Sequence, residues 1–406
     1  MNGYEPMWRL GFFFHEMAFG LLSVFIPLYV VSIGGSIIYV GIVSAVAILV
    51  AIPASFFWGY ICDKKRHYKR YILLSFLTLS LAIYLLSTCR SIEIFIAIYA
   101  VMALFHEASE PPKNVLIAEL YPHEEWRKAF AFYEALTEVG WAVGLLLGFT
   151  TSFLGFTAES TLKLCSFLNL AAFATSIFLV SDPLLTIERS LVKIEKNVGL
   201  AYRGAIIASK ILEGARVDEK LEEENVYAFS SGIILFSLAT SILFSPLPLF
   251  FSTDLGISIN IVFLVYVLNS LGGFLGYLTA WKSSHHRYSH SQIFKIVLLR
   301  GALTFLLLLA TWMPRQNLIL PIAILSLMGF AYGLFHIYIL SASMEIITHG
   351  KAGLFNVFLG IGNACGSFAG PFIAQTFGFR HVFVMAGAIF LSTFIAFKIS
   401  FKTSKF

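Results

Sequence analysis

Residues 59–88 read GYICDKKRHYKRYILLSFLTLSLAIYLLST. A strongly basic stretch ends at Arg70, and from Ile72 to Leu86 the chain is apolar without a charge. A lipid-facing β-strand would alternate every second residue, and this run does not. A continuous apolar run bounded by charge reads as a bilayer-crossing helix, because a helix satisfies its backbone polar groups internally. The five cations Lys64, Lys65, Arg66, Lys69 and Arg70 mark the near end of that helix as cytoplasmic.

Working outward, the same pattern recurs along all 406 residues. Twelve helical segments are expected at approximately 8–33, 38–62, 71–88, 93–119, 127–153, 162–181, 225–251, 258–281, 295–313, 317–346, 351–377 and 381–401. Twelve spans of about 20 residues use most of the chain. Hydrophobic residues make up 58% and charged residues 13%, about half the charge of a soluble protein. Mean hydropathy is +0.83. Disorder, coiled coil, a secreted disulfide scaffold and nucleic-acid binding are all disfavoured. The expected class is an all-α integral membrane protein.

The odd-numbered connectors hold only Arg90, Lys163, Arg315 and Arg380, while nearly all other cations lie in the even-numbered connectors and the ends. The charge bias places both termini in the cytoplasm of a multi-pass protein of the cell membrane. No cleavable signal peptide is expected, since Glu16 interrupts an overlong first apolar run. Residues 182–224 form a cytoplasmic linker. Leu191, Ile194, Val198, Ala201 and Ala205 lie there at helical spacing, as in a helix resting on the inner membrane surface; a regulatory helix is the other reading. Cys62, Cys89, Cys165 and Cys365 show no metal-ligand spacing, and a Cys89–Cys165 disulfide is the weaker alternative to free thiols.

The chain also repeats itself. Pro27-Leu-Tyr29 matches Pro248-Leu-Phe250, and Ala103-Leu-Phe-His106 matches Gly333-Leu-Phe-His336. Gly140, Gly144 and Gly148 match Gly362, Gly366 and Gly370 at a constant offset. Two six-helix bundles are expected, 1–181 and 225–406. Glycines four apart share one helix face and admit another helix closely. They are read either as plain packing or as sliding contacts between the halves.

The motif Gly59-Tyr-Ile-Cys-Asp63-Lys64, followed by further cations, resembles the signature of the major facilitator superfamily. Arg66 stands where that family has a second glycine, and the later basic pair is displaced to Lys69 and Arg70. The second-half copy, Gly276-Tyr-Leu-Thr-Ala280-Trp281-Lys282, lacks the aspartate. Glu119-Leu-Tyr-Pro122 followed by Arg127 resembles the family's connector after the fourth helix. The resemblance implies alternating access of two six-helix halves, with helices 1, 4, 7 and 10 lining a central cavity. It also implies that Asp63 meets the N-terminus of the eleventh helix. Gly59, Asp63, Lys64, Arg70, Glu119 and Arg127 would then form an inner-face latch, Gly59 allowing close packing; the bland reading is a plain topogenic basic loop.

Acids at membrane depth are costly unless paired or hydrated, and so mark function. Candidates for proton coupling or a substrate cavity are His15, Glu16, His106, Glu107, Glu110, Glu134, Glu138, Trp141 and His336. Phe12, Phe19, Tyr29, Phe105, Tyr133 and Tyr332 are expected nearby. Glu107, Glu110 and Asn114 should share one face, and Lys113 should neutralise a neighbouring glutamate. Like-charged carboxyls crowded together disfavour full ionisation, so one can carry a coupling proton; hydrogen bonding by protonated acids is the structural alternative. His-Glu pairs at 15–16 and 106–107 raise divalent-metal transport as a third reading.

No glycine-rich phosphate loop is present and nothing points to catalysis. The expected function is secondary transport by alternating access, exporting a cationic or amphipathic small organic solute in exchange for protons. The rivals are proton symport of a small polar nutrient, divalent-metal transport, and a non-transporting receptor or scaffold. The expected partners are a small-molecule substrate, protons and the bilayer, with no nucleic acid, no cofactor and no bound metal, and the expected state is a monomer.

Overall fold

A computed structural model describes residues 7–120, 126–182, 226–282, 290–312, 319–346 and 353–401. Among the described residues the chain is helical, with no strand. Among the described residues, twelve helices are long and apolar enough to cross a membrane. They are spans 1 to 12 below: Arg9–Ser32, Ile37–Cys62, Tyr68–Thr88, Ile92–Ile117, Phe132–Phe153, Ala158–Leu179, Tyr227–Asp254, Ile259–Ala280, Ser291–Ala310, Ile319–Leu340, Val357–Phe377 and Phe379–Phe401.

Two spans depart from the continuous helices expected. Span 4 is two helices, Ile92–His106 and Glu110–Leu120. The second begins with Glu110-Pro111-Pro112, where proline's missing N–H costs nothing. The face shared by Glu107, Glu110 and Asn114 on an unbroken helix therefore does not form. Span 7 runs as a helix only to Phe244, then continues through Leu247–Leu249 into a π-turn, Phe250–Asp254. Pro246 and Pro248 interrupt its hydrogen-bond ladder. Span 9 starts early: its helix opens at His290, five residues before the expected 295.

Contacts follow a two-fold pattern. Spans 1 and 5, 1 and 6, 2 and 4, 3 and 4, and 3 and 6 pack together; so do 7 and 11, 7 and 12, 8 and 10, 9 and 10, and 9 and 12. Each pair in one set has its counterpart six spans later. The two bundles meet where span 5 packs on span 8 and span 2 on span 11.

Glycine decides how closely the helices approach. Cβ atoms at Gly20, Gly140 or Gly144 would press into the backbone joining spans 1 and 5. Gly362, Gly366 and Gly370 abut the carbonyls of Ile234, Leu238 and Ile242 on span 7. These ladders therefore draw helices together within each half rather than forming a sliding surface between halves. Gly148 differs, meeting the Phe263 ring of span 8 across the seam.

Gly59 meets nothing within 4 Å, so close packing is not why glycine stands there. The turn that follows has a different constraint. Arg66 closes span 2 in the left-handed region, φ 56°, and its N–H donates to Cys62 O at 2.9 Å. That conformation favours glycine, which is what the family signature carries at this place. The Lys69 N–H donates to Asp182 Oδ1 at 2.7 Å, tying the turn to the end of span 6. Lys64 Nζ donates to Tyr60 OH at 3.3 Å, and Arg70 is exposed. The side chains of Asp63, Glu119 and Arg127, and the 182–224 linker beyond Asp182, lie outside the described residues.

The largest apolar cluster includes Tyr29, Val40, Leu86, Phe250, Phe251, Phe263 and Phe379 from both halves. It seals the bundle at the end bearing the 33–36 and 255–258 turns. At that end the Ile38 N–H donates to Gln375 Oε1 at 2.9 Å, joining span 2 to span 11. All four cysteines are free thiols, so the weaker alternative, a Cys89–Cys165 disulfide, does not form.

Candidate functional site

A cavity of about 400 Å³ lies between the halves. Its wall carries Glu16 from span 1, Glu134, Thr137, Glu138 and Trp141 from span 5, and Thr240 and Phe244 from span 7. Asn269, Gly273 and Tyr277 come from span 8, Arg300 from span 9, and Met328, Gly329, Tyr332 and His336 from span 10. The cavity sits well inside the spans. Glu138 is the seventh residue of its span, Asn269 the eleventh, Arg300 the tenth and Tyr332 the fourteenth.

Close helix packing makes this room. Gly272, Gly276, Gly329 and Gly333 let spans 8 and 10 touch backbone to backbone. Gly273, between them, faces the Glu138 carboxyl, and a Cβ there would stand 3.5 Å from its Oε1. Ser270 Oγ donates to Glu138 Oε1 across the seam between the halves. One carboxyl thus has a foot in each bundle: its helix in the first, its hydrogen-bond donor in the second. Asn269 Nδ2 donates to Leu325 O at 2.7 Å, fixing span 8 on span 10. His336 stacks on Tyr332 with ring centroids 5.9 Å apart, and its Nδ1 lies 3.4 Å from Tyr277 OH.

Of the sequence candidates, Glu16, Glu134, Glu138, Trp141 and His336 line this cavity. His15, His106, Glu107 and Glu110 do not; they cluster inside the first bundle. His15 is 2% exposed, and its Nδ1–H donates to Asn169 Oδ1 at 2.9 Å. Its ring lies against Phe19, Phe76 and His106. His106 Nδ1 is 3.9 Å from Glu107 Oε1. Lys113 Nζ meets Glu110 Oε2 at 2.5 Å, as expected of a neutralising partner, and stands 5.3 Å from the Tyr133 ring centroid.

The aromatic expectation needs the same correction. Trp141 and Tyr332 reach the cavity. Phe12 and Tyr133 are buried with Trp8, Phe105 packs on Trp58, and Tyr29 lies by Phe95. Phe19 sits against the His15 and His106 rings. Phe244 and Tyr277 take their place on the cavity wall.

Arg300 is the site residue that sequence reasoning missed. Its signal was a lone cation within the apolar run Ile296–Leu309, but a span beginning at 295 put it near a membrane surface. With the helix opening at His290 it stands at mid-span. Burying an unpaired guanidinium costs several kcal/mol, and each well-placed aromatic face returns roughly 0.5–2 kcal/mol. Four rings surround it: Phe236, Phe244, Tyr332 and Phe390, with centroids 5.0–5.8 Å from its Cζ.

Among the described residues, no group of three His, Cys, Asp or Glu side chains is placed to hold a metal ion. His15 and Glu16, adjacent in sequence, diverge: one binds Asn169 inside the bundle, the other lines the cavity.

This arrangement can be set beside known proteins. The multidrug resistance protein MdtG of Salmonella paratyphi B is 25% identical over 402 residues, covering 94% of this chain and 91% of the relative. MdtG of Salmonella typhimurium gives the same figures. A solved structure from the proton dependent oligopeptide transporters superposes with a TM-score of 0.75 at 13% identity, covering 99% of both chains. The nucleoside transporter NupG gives 0.70 at 14% identity, covering 99% of this chain and 100% of its own. At those identities the two structures establish the fold alone. The sequence profile described as Major Facilitator Superfamily matches residues 10–354. With twelve membrane-type helices in two like bundles around a central cavity, the chain belongs to the Major Facilitator Superfamily.

Proposed function

We propose that this transporter moves an amphipathic organic solute bearing a basic group out of the cell, in exchange for protons, by alternating access of the two bundles. The observation that carries the reading is the cavity wall: three carboxyls, Glu16, Glu134 and Glu138, face aromatic surfaces of Trp141, Phe244, Tyr277 and Tyr332. Carboxylates attract a protonated amine, and aromatic faces accept both its charge and its apolar body. The likeness to MdtG, named as a multidrug resistance protein, favours the same class.

Glu138 is the coupling group in this scheme. Deprotonated, it receives the basic solute; protonated, it releases the solute and keeps its bond to Ser270. Proton and solute thus compete for one carboxyl, which is the requirement for exchange. Its donor sits on the other bundle, so the same event bears on how the halves meet. In this reading the basic 64–70 stretch and both termini face the cytoplasm, the sealed end faces outward, and Asp63 latches the inner side.

A thermal-shift screen of the purified protein tests the solute class. A ligand that binds only the folded form at a hundred times its Kd adds about 2.7 kcal/mol of stability. Amphipathic amines are expected to raise Tm in a dose-dependent way. A rise with sugars or divalent metals, and none with amines, would overturn the assignment.

A further inference from the structure

Arg300 has a surrounding that the scheme above does not use. It stands nine residues from Ser291 and ten from Ala310, the ends of its span, so about 14 Å of helix separates it from either surface. That is too deep for its side chain to reach bulk water, and the residue is 1% exposed. One terminal nitrogen donates to Thr240 Oγ1 at 3.4 Å. Its Nε and Nη1 have no hydrogen-bond partner, and no acid pairs with it, among the described residues.

Aromatic faces attract a cation but do not fill a guanidinium's directed N–H fork, which matches a carboxylate. The half that carries Arg300 offers no acid at its depth. After residue 225 the sequence has only Asp254 and Glu345; Asp254 ends span 7, and Glu345 lies beyond the end of span 10. The carboxyls lining the cavity all come from the first half. The site is therefore polarised, with acids on one wall and a cation with an open fork on the other. Phe244 and Tyr332 belong both to the cavity wall and to the cage around Arg300.

We propose that Arg300 is the docking point for an acidic group on the transported solute, which is therefore amphoteric. A basic group faces Glu138, an apolar body lies against the aromatic walls, and a carboxylate replaces a ring face at the guanidinium fork. Phe244 or Tyr332 moves aside to admit it. This rests on the transport reading above and narrows its solute class. Lysine would keep the charge at this place but not the two parallel donors.

The test uses the full-length purified protein and two probes that differ only in the acidic group: para-piperazinylbenzoic acid and its methyl ester. The wild type is expected to bind the acid roughly tenfold or more tightly than the ester. Arg300→Gln should erase that preference by weakening the acid alone, and Arg300→Lys should restore only part of it. Equal affinities in the wild type, a preference that survives in Arg300→Gln, or binding of neither probe would overturn the proposal. Folding provides a control. Arg300→Gln removes a buried cation without an acid partner, so Tm should hold or rise; a fall with the probe preference intact makes Arg300 structural. Transport separates the two readings. If a pH gradient drives the ester in wild-type proteoliposomes while the acid binds no better, this inference fails and the exchange scheme stands. If the gradient drives neither probe, the exchange scheme fails too.

Discussion

Replacing Glu138 by glutamine keeps the side chain's size and an oxygen to accept from Ser270, but removes the exchangeable proton. The cost to folding should stay within about 1 kcal/mol, the value of one ordinary hydrogen bond. The cost to function should be complete in one assay and small in another. A pH difference of one unit supplies about 1.4 kcal/mol per proton, enough for roughly tenfold accumulation of a singly charged solute exchanged for one proton. Proteoliposomes carrying the wild type should reach that ratio for a quaternary-ammonium amphiphile, which cannot cross as a neutral base, and Glu138→Gln should fall to a ratio of about one. Exchange of labelled for unlabelled probe across Glu138→Gln membranes should continue at raised probe concentration, because it need not release a proton and Glu16 and Glu134 still line the cavity to attract the cation. Full accumulation by Glu138→Gln would refute the coupling role. Loss of both activities even at saturating probe would mean that Glu138 holds the seam rather than coupling the proton, and the same pair of assays on Glu16→Gln and Glu134→Gln would then locate the coupling carboxyl.

Other consequences can be checked with simpler measurements. Solute binding should release protons into weakly buffered solution, and affinity should rise from acidic to neutral pH, since only the deprotonated carboxyl receives a cation; pH-independent affinity with no proton release would contradict the competition. Gly144→Ala puts a methyl into the Met17 carbonyl and should cost about 1–3 kcal/mol by overpacking, whereas Gly59→Ala, in open space, should leave Tm nearly unchanged. Arg66→Gly should raise stability by up to about 1 kcal/mol by relieving the left-handed conformation; a lower Tm would mean that the arginine side chain contributes more than its backbone costs. Asp63→Asn should reduce flux while insertion and expression persist, and wild-type flux would contradict the latch.

Span number was legible in the sequence because lipid imposes a simple rule: a run of about 20 apolar residues satisfies its own backbone. The internal repeat at Gly140/Gly362 and its neighbours pointed to two like halves for an equally local reason. What could not be read was which polar residues meet. Glu107 lies at a helix break, and the helical-wheel argument for its face required an unbroken helix. His15 and Glu16 are adjacent in sequence yet serve different surroundings, which only the packing of spans 1, 5 and 6 decides. Arg300 was hidden by a boundary error: the polar residues His290, Ser291 and Gln292 belong to the helix, and five residues of helix shift depth by about 7.5 Å. Ser270 carried no signal at all, since a serine in a membrane helix usually satisfies itself on its own backbone.

Exchange of protons for a basic amphipathic solute across a bilayer is the step on which the proposed function stands. Counterflow in proteoliposomes addresses it directly, with the vesicles preloaded with unlabelled probe and the labelled probe added outside. A transient overshoot of labelled probe above equilibrium is expected, unaffected by a protonophore; when an acidic interior replaces the preloaded probe, sustained accumulation is expected, and a protonophore abolishes it. Flux no greater than in protein-free vesicles under both conditions, from folded protein of either orientation, would contradict it and leave a transporter-like fold without transport.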